Sequence, residues 1–148
     1  GTHGDYEHDG NFIEEVRFEN LDILEHNEHQ MGYLGCLAIN AGDKNTVRNI
    51  SYEEIRIEHI EHGKLLDIQV KFNPDYNPAP GKRIEGVSLK RIFYMGSGEE
   101  TSQIRGYDGE HKVLDIVIED LYIRGKKVES LEEANIEAGP FAENITIR

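Results

Sequence analysis

An all-β chain folded as a right-handed parallel β-helix, a β-solenoid of about four to five coils, is predicted by three features of the sequence. One apolar template recurs along the chain, each copy alternates with a period of two, and a shorter apolar element separates successive copies. The template is one apolar residue, two polar residues, then apolar residues at alternate positions. It reads "IEEVRFENLDI" (13–23), "VRNISYEEIRI" (47–57), "IEGVSLKRIFY" (84–94) and "VLDIVIEDLYI" (113–123), and begins again in "AENITIR" (142–148). Anchored on Val16, Ile50, Val87, Ile116 and Ile145, the copies lie 34, 37, 29 and 29 residues apart, within the range of stacked repeats.

Alternation and β-branched residues, as in Val16-Arg17-Phe18 and Ile116-Val117-Ile118, make each copy a strand with one buried face. The shorter elements are "CLAIN" (36–40), "LLDIQV" (65–70), "SQIRGY" (102–107) and "ANIEAG" (134–139), set off by Gly-, Asn- or Glu-rich turns. A helical period and the leucine spacing of leucine-rich repeats are missing, which leaves strands stacked coil on coil at about 4.8 Å. In "NPDYNPAPGK" (73–82) prolines and a glycine break the ladder, so this loop projects as the wall of a groove. Residues 1–12 form an N-terminal cap or flexible arm, and 13–148 form the β-helix domain. So few coils expose strand edges at both ends, which implies end-to-end self-association or additional N-terminal coils.

With 148 residues the chain builds one core and one domain. Its 29 acidic and 16 basic residues give a formal charge of −13, with no basic run, so neither nucleic acid nor an anionic membrane is an expected partner. No apolar run reaches the roughly 18–20 residues of a membrane-spanning helix. The single cysteine, Cys36, excludes an intrachain disulfide and a cysteine zinc cluster and reads as a buried thiol.

Two stretches, "EHNEH" (25–29) and "EHIEH" (58–62), repeat Glu-His-x-Glu-His at one corner, with Ile23 opposite Ile57 and the corners one residue out of register. His26, His29, His59 and His62, with Glu25, Glu28, Glu58 and Glu61, offer nitrogen and oxygen ligands to a divalent metal; a solvated acidic corner is the other reading. No cofactor is otherwise expected. His3, Asp5, Glu7, His8 and Asp9 in "HGDYEHDG" match no defined metal spacing and read as an acidic cap. The sequons at Asn49 and Asn144 fall on repeat strands and read as ladder residues.

The rungs "VRNISYEEIRIEHI" and "VLDIVIEDLYIRG", with "CLAINAGD", resemble the pectin-lyase-like β-helix superfamily, and within it the polygalacturonase-like glycoside hydrolases. That resemblance implies a polysaccharide or oligosaccharide ligand of acidic or plant type, cleavage by inversion between two carboxyl groups, and a secreted or periplasmic location. Several family motifs are altered. Leu34-Gly35 precede Cys36-Leu37-Ala38-Ile39-Asn40 where the family has Asp-Asp. Glu61-His62-Gly63 replaces Gly-His-Gly, and Gln103-Ile104-Arg105 replaces Arg-x-Lys, while Arg124-Gly125-Lys126 follows the wrong strand.

Catalysis would therefore fall to other carboxylates on the short-strand face and its loops: Asp67, Asp108 and Glu110. His62, Arg105, Tyr107, His111 and Asp43 are the candidate substrate-binding residues, with Tyr107 in "GYDGEHK" placed to stack on a sugar ring. The alternative is a binding or structural module presenting Tyr33, Tyr76, Tyr94, Tyr107 and Tyr122 without catalysis, although Tyr94 and Tyr122 sit at apolar template positions.

Overall fold

A computed structural model describes residues 3–30, 33–76, 78–96 and 100–148. Positions 1 and 2 of the N-terminal segment, 77 of the projecting loop and 97–99 of the stretch after Tyr94 lie outside the described residues. Among the described residues the chain forms ten strands and no helix. Five long or edge strands, β1 (Phe12–Asn27), β3 (Thr46–His62), β5 (Arg83–Tyr94), β7 (Val113–Ile123) and β10 (Ala142–Ile147), pair in that order in one parallel sheet. Four short strands, β2 (Gly35–Ala41), β4 (Lys64–Val70), β6 (Ser102–Arg105) and β9 (Ile136–Ala138), form a second parallel sheet. A two-residue strand, β8 (Lys126–Lys127), folds back antiparallel on β7 through the left-handed pair Arg124 and Gly125.

This architecture corrects the expected right-handed parallel β-helix of four to five coils. The strands belong to two separate parallel sheets, and no closed or solenoidal shape is found among the described residues. A repeat of one long and one short strand sets the spacing of parallel neighbours, but two sheets fed alternately by the chain satisfy that spacing without a closed coil.

Register is set by the apolar columns. Val16 pairs with Ile50, Ile50 with Val87, Val87 with Ile116 and Ile116 with Ile145, so the repeat anchors stand side by side across the sheet. The two polar residues of the template have a backbone cause. Glu15, Asn49, Gly86, Asp115 and Asn144 occupy one column and all have positive φ, as do Asn20, Glu54, Arg91 and Asp120 in a second column. Each such residue adds a step without changing the face, so in β5 the buried side chains are Ile84, Val87, Leu89, Ile92 and Tyr94, at spacings of three and two. Asn, Asp and Gly tolerate this conformation readily; Glu15 and Glu54 do not, and side-chain bonds hold them there. Asn49 Nδ2 donates to Glu15 Oε1 at 2.7 Å, and Arg91 Nε donates to Glu54 Oε1 at 3.2 Å.

One hydrophobic core joins the sheets: Leu37, Ile39, Leu66, Ile68 and Ile104 from the short strands meet Ile50, Ile55, Val87, Ile92 and Ile116 from the long ones. The outer face of the long-strand sheet is charged and cross-linked by ion pairs between neighbouring strands, including Arg48 with Glu14, Arg56 with Asp22 and Arg91 with Glu53. At the N-terminus, the Gly4 amide donates to Asp43 Oδ2 at 3.0 Å and the Asn11 amide to Asn45 Oδ1 at 3.0 Å, fastening residues 3–11 to the turn after β2.

Ile116 is fully buried in an apolar column, between Val87 and Ile145. Ile116→Ala is expected to lower unfolding free energy by about 2–5 kcal/mol, read as a fall in the urea midpoint at unchanged slope.

Candidate functional site

The second sheet turns Leu66, Ile68 and Val70 of β4 inward, so Asp67 and Gln69 take its opposite face, with Lys71 continuing the alternation. Parallel pairing sets Asp67 between Ala38 and Gln103, and Gln69 between Asn40 and Arg105; Glu137 follows Gln103. The result is a polar ladder across the short strands. Asp67 is fully buried within it, beneath Gly35, where any Cβ would come within 2.4 Å of Asp67 Cβ. A buried carboxylate needs cations, and Lys64 Nζ and Lys71 Nζ each lie 3.6 Å from one of its oxygens. Gln69 Nε2 donates to Asp67 Oδ1 and, at 3.1 Å, to Gln103 Oε1. Burial pushes the Lys71 ammonium below the usual lysine range, against the pull of Asp67 in the other direction.

Arg105 lays its side chain over Gly139, whose missing Cβ leaves room for Nε, and brings its guanidinium to 3.6 Å from Glu137. The residues two after β4 and two after β6 add aromatic surface. Phe72 and Tyr107 meet edge to face at a centroid distance of 5.5 Å, both partly exposed, and Tyr107 meets the His111 ring at 6.2 Å. Phe72 and Tyr107 thus form an apolar platform beside Lys71 and Arg105.

Asp108 is occupied by its own turn. Its Oδ1 accepts from the Glu110 and His111 amides, both at 2.9 Å, and meets His111 Nδ1 at 2.7 Å. A carboxylate only accepts, so Nδ1 carries the ring proton. These bonds, the Glu110 amide first, hold the Asp108 carboxyl below its ordinary 3.8. Glu110 is exposed at the tip of the same turn.

Asp43, expected to bind substrate, is buried under the N-terminal arm, its Oδ2 taken by the Gly4 amide and 3.7 Å from His3. At the end of the long strands, His62 packs against His29 with ring centroids 4.1 Å apart, rather than joining Arg105 and Tyr107. His26 is half-buried with Nε2 against Gly63, while His59 is exposed and pairs across the sheet with Glu25. Among the described residues no three His, Cys, Asp or Glu side chains are grouped to hold a metal ion. Burial pushes the Cys36 thiol up to about 11, so it stays protonated at neutral pH.

The tyrosines do not form one line. Tyr94 is buried; Tyr122 stacks on Phe93 at 5.2 Å on the outer face, not at the apolar template position, which belongs to Ile123 opposite Tyr94. Arg124-Gly125-Lys126 is the hairpin turn into β8. Sequence reading overlooked Lys64, Gln69, Lys71, Phe72 and Gln103; the alternation Asp67, Gln69, Lys71 in "LLDIQVK" was the available signal. No protein family, curated protein or solved structure matches this chain.

Between its lowered folded value and the ordinary 10.5, Lys71 is deprotonated in the folded chain while the unfolded chain still holds the proton. Stability therefore rises with pH across that window, and Lys71→Met is expected to flatten the rise in urea titrations between neutral pH and 10.5. Asp108→Ala is expected to unlock the turn, seen as faster hydrogen exchange at the Glu110 and His111 amides with the rest of the chain protected as before.

Proposed function

We propose that the chain is a carbohydrate-binding module that takes an acidic oligosaccharide of plant type along the outer face of the short-strand sheet, without cleaving it. The observation that carries this reading is the exposed Phe72–Tyr107 platform beside Lys71 and Arg105. A sugar ring presents apolar C–H groups to an aromatic face, and its carboxylate matches the planar donors of an arginine. In a chain of formal charge −13, Lys64, Lys71 and Arg105 gather on one small face against the carboxylates of Asp67 and Glu137, a net positive charge that favours an anionic ligand there over the rest of the surface. The resemblance of "CLAIN" and its neighbouring rungs to the polygalacturonase-like glycosidases supports carbohydrate as the ligand class.

Binding suits these residues better than hydrolysis. A general acid needs a carboxyl pKa raised toward neutrality, whereas Asp108 is lowered and its Oδ1 is spent on three partners. Asp67 is closed from solvent and held between two ammonium groups, so it has no room to activate water. Glu110 alone leaves the two-carboxyl requirement unmet.

Calorimetric titration with oligogalacturonates is expected to show binding that weakens with added salt and falls about tenfold or more in Tyr107→Ala and in Arg105→Ala. Reducing-sugar assays on the same oligosaccharides are expected to show no release. Release abolished by Asp108→Asn would replace this reading with hydrolysis, and equal affinity for neutral and acidic ligands would remove the role of Arg105.

A further inference from the structure

The two sheets begin at β1 and β2 and end at β10 and β9, so each presents a first and a last edge. At the first edge the core is open. A cavity of about 360 Å³ between β1 and β2 is lined by Ile13, Val16, Phe18, Ile39, Ile50 and Tyr52 among others. Asn40 also lines it and leaves a buried Oδ1 without a hydrogen-bond partner. Phe12, Phe18, Leu21 and Leu24 are all exposed on β1, an accumulation of apolar surface that a free sheet edge rarely carries.

We infer that this first edge docks the last edge of a second copy of the chain, β10 pairing in parallel on β1. The last edge carries the same template, so continuing the register seats Ala142 beside Ile13, Ile145 beside Val16 and Ile147 beside Phe18. The same step puts Phe141, exposed at the last edge, beside Phe12.

Charge complements shape. β1 carries Glu14, Glu15, Glu19, Asp22 and Glu25 against the single Arg17, whereas the last edge and its hairpin carry Arg124, Lys126, Lys127 and Arg148; the one carboxylate of β10, Glu143, falls in the column of Glu14 and is held by Lys112 at 2.6 Å. Within one chain Arg148 already pairs with Glu119, its neighbour one strand back, at 2.7 Å. One strand forward, in the docked copy, the same column offers Glu19. Asn144 likewise donates to Asp115 at 2.9 Å, and its second N–H faces Glu15 of the docked copy. The contact is heterologous, so it propagates head to tail and does not close as a symmetric dimer.

The test mixes two variants made in a Cys36→Ser background, Phe12→Cys and Phe141→Cys, under oxidising conditions. Disulfide-linked dimers are expected from the mixture and not from either variant alone, and the wild-type mass by sedimentation is expected to rise with concentration. Arg148→Glu is expected to weaken association about tenfold, with recovery on adding Glu19→Arg. Cross-linking of Phe12→Cys with itself would mean a symmetric contact and overturn the inference. So would a wild-type chain that stays monomeric at every concentration, including one whose cavity takes up an apolar dye.

Discussion

In-register parallel pairing of the long strands is the constraint from which the rest of the molecule follows. Once Val16, Ile50, Val87, Ile116 and Ile145 share a column, the core face, the charged outer face and the two columns of left-handed residues are all fixed. A slip of one residue would turn each apolar set toward solvent. The left-handed columns guard against that slip. They interrupt the alternation at the same two places in each of β1, β3, β5 and β7, and the side chains of Asn49 and Arg91 tie those places to the neighbouring strand.

Much of this was legible in the amino acids. The repeat anchors, the alternation between long and short elements, and the pairing of Ile23 with Ile57 all correspond to observed register. Even the odd feature of the template, two polar residues after the first apolar one, marks a backbone residue with positive φ. Closure was not legible. A repeat length constrains which strands are neighbours, and it is silent on whether two sheets join, so the β-helix expected from that length gave way to separate parallel sheets. Tyr122 was misplaced for a related reason: the second left-handed column ends the simple alternation at Asp120, which puts Leu121 and Ile123 on the core side.

The candidate site was half visible. Tyr107 and His111 meet ring to ring and Arg105 precedes Tyr107 by two residues, but the residues they face lie on another strand. Lys71 and Phe72 reach Arg105 and Tyr107 only through the pairing of β4 with β6, an offset of 36 residues between Asp67 and Gln103 that no local pattern reveals. The same pairing changes the chemistry of Asp67. As an isolated letter it is a candidate acid or base; in place it is a buried counter-charge that lets Lys64 and Lys71 stand close together beside an exposed aromatic pair. Under the proposed binding role, side chains fixed in such a ladder before the ligand arrives lower the cost of ordering them.

The most direct measurement of this account is amide and side-chain chemical-shift mapping of the intact chain during titration with an acidic oligosaccharide. Perturbations concentrated at Lys64–Phe72 and Gln103–His111, with intermolecular ring-current shifts on the sugar protons over Tyr107, are the expected result. A spectrum unchanged at saturating ligand, or changes confined to the His29–His62 corner or the N-terminal arm, would contradict it.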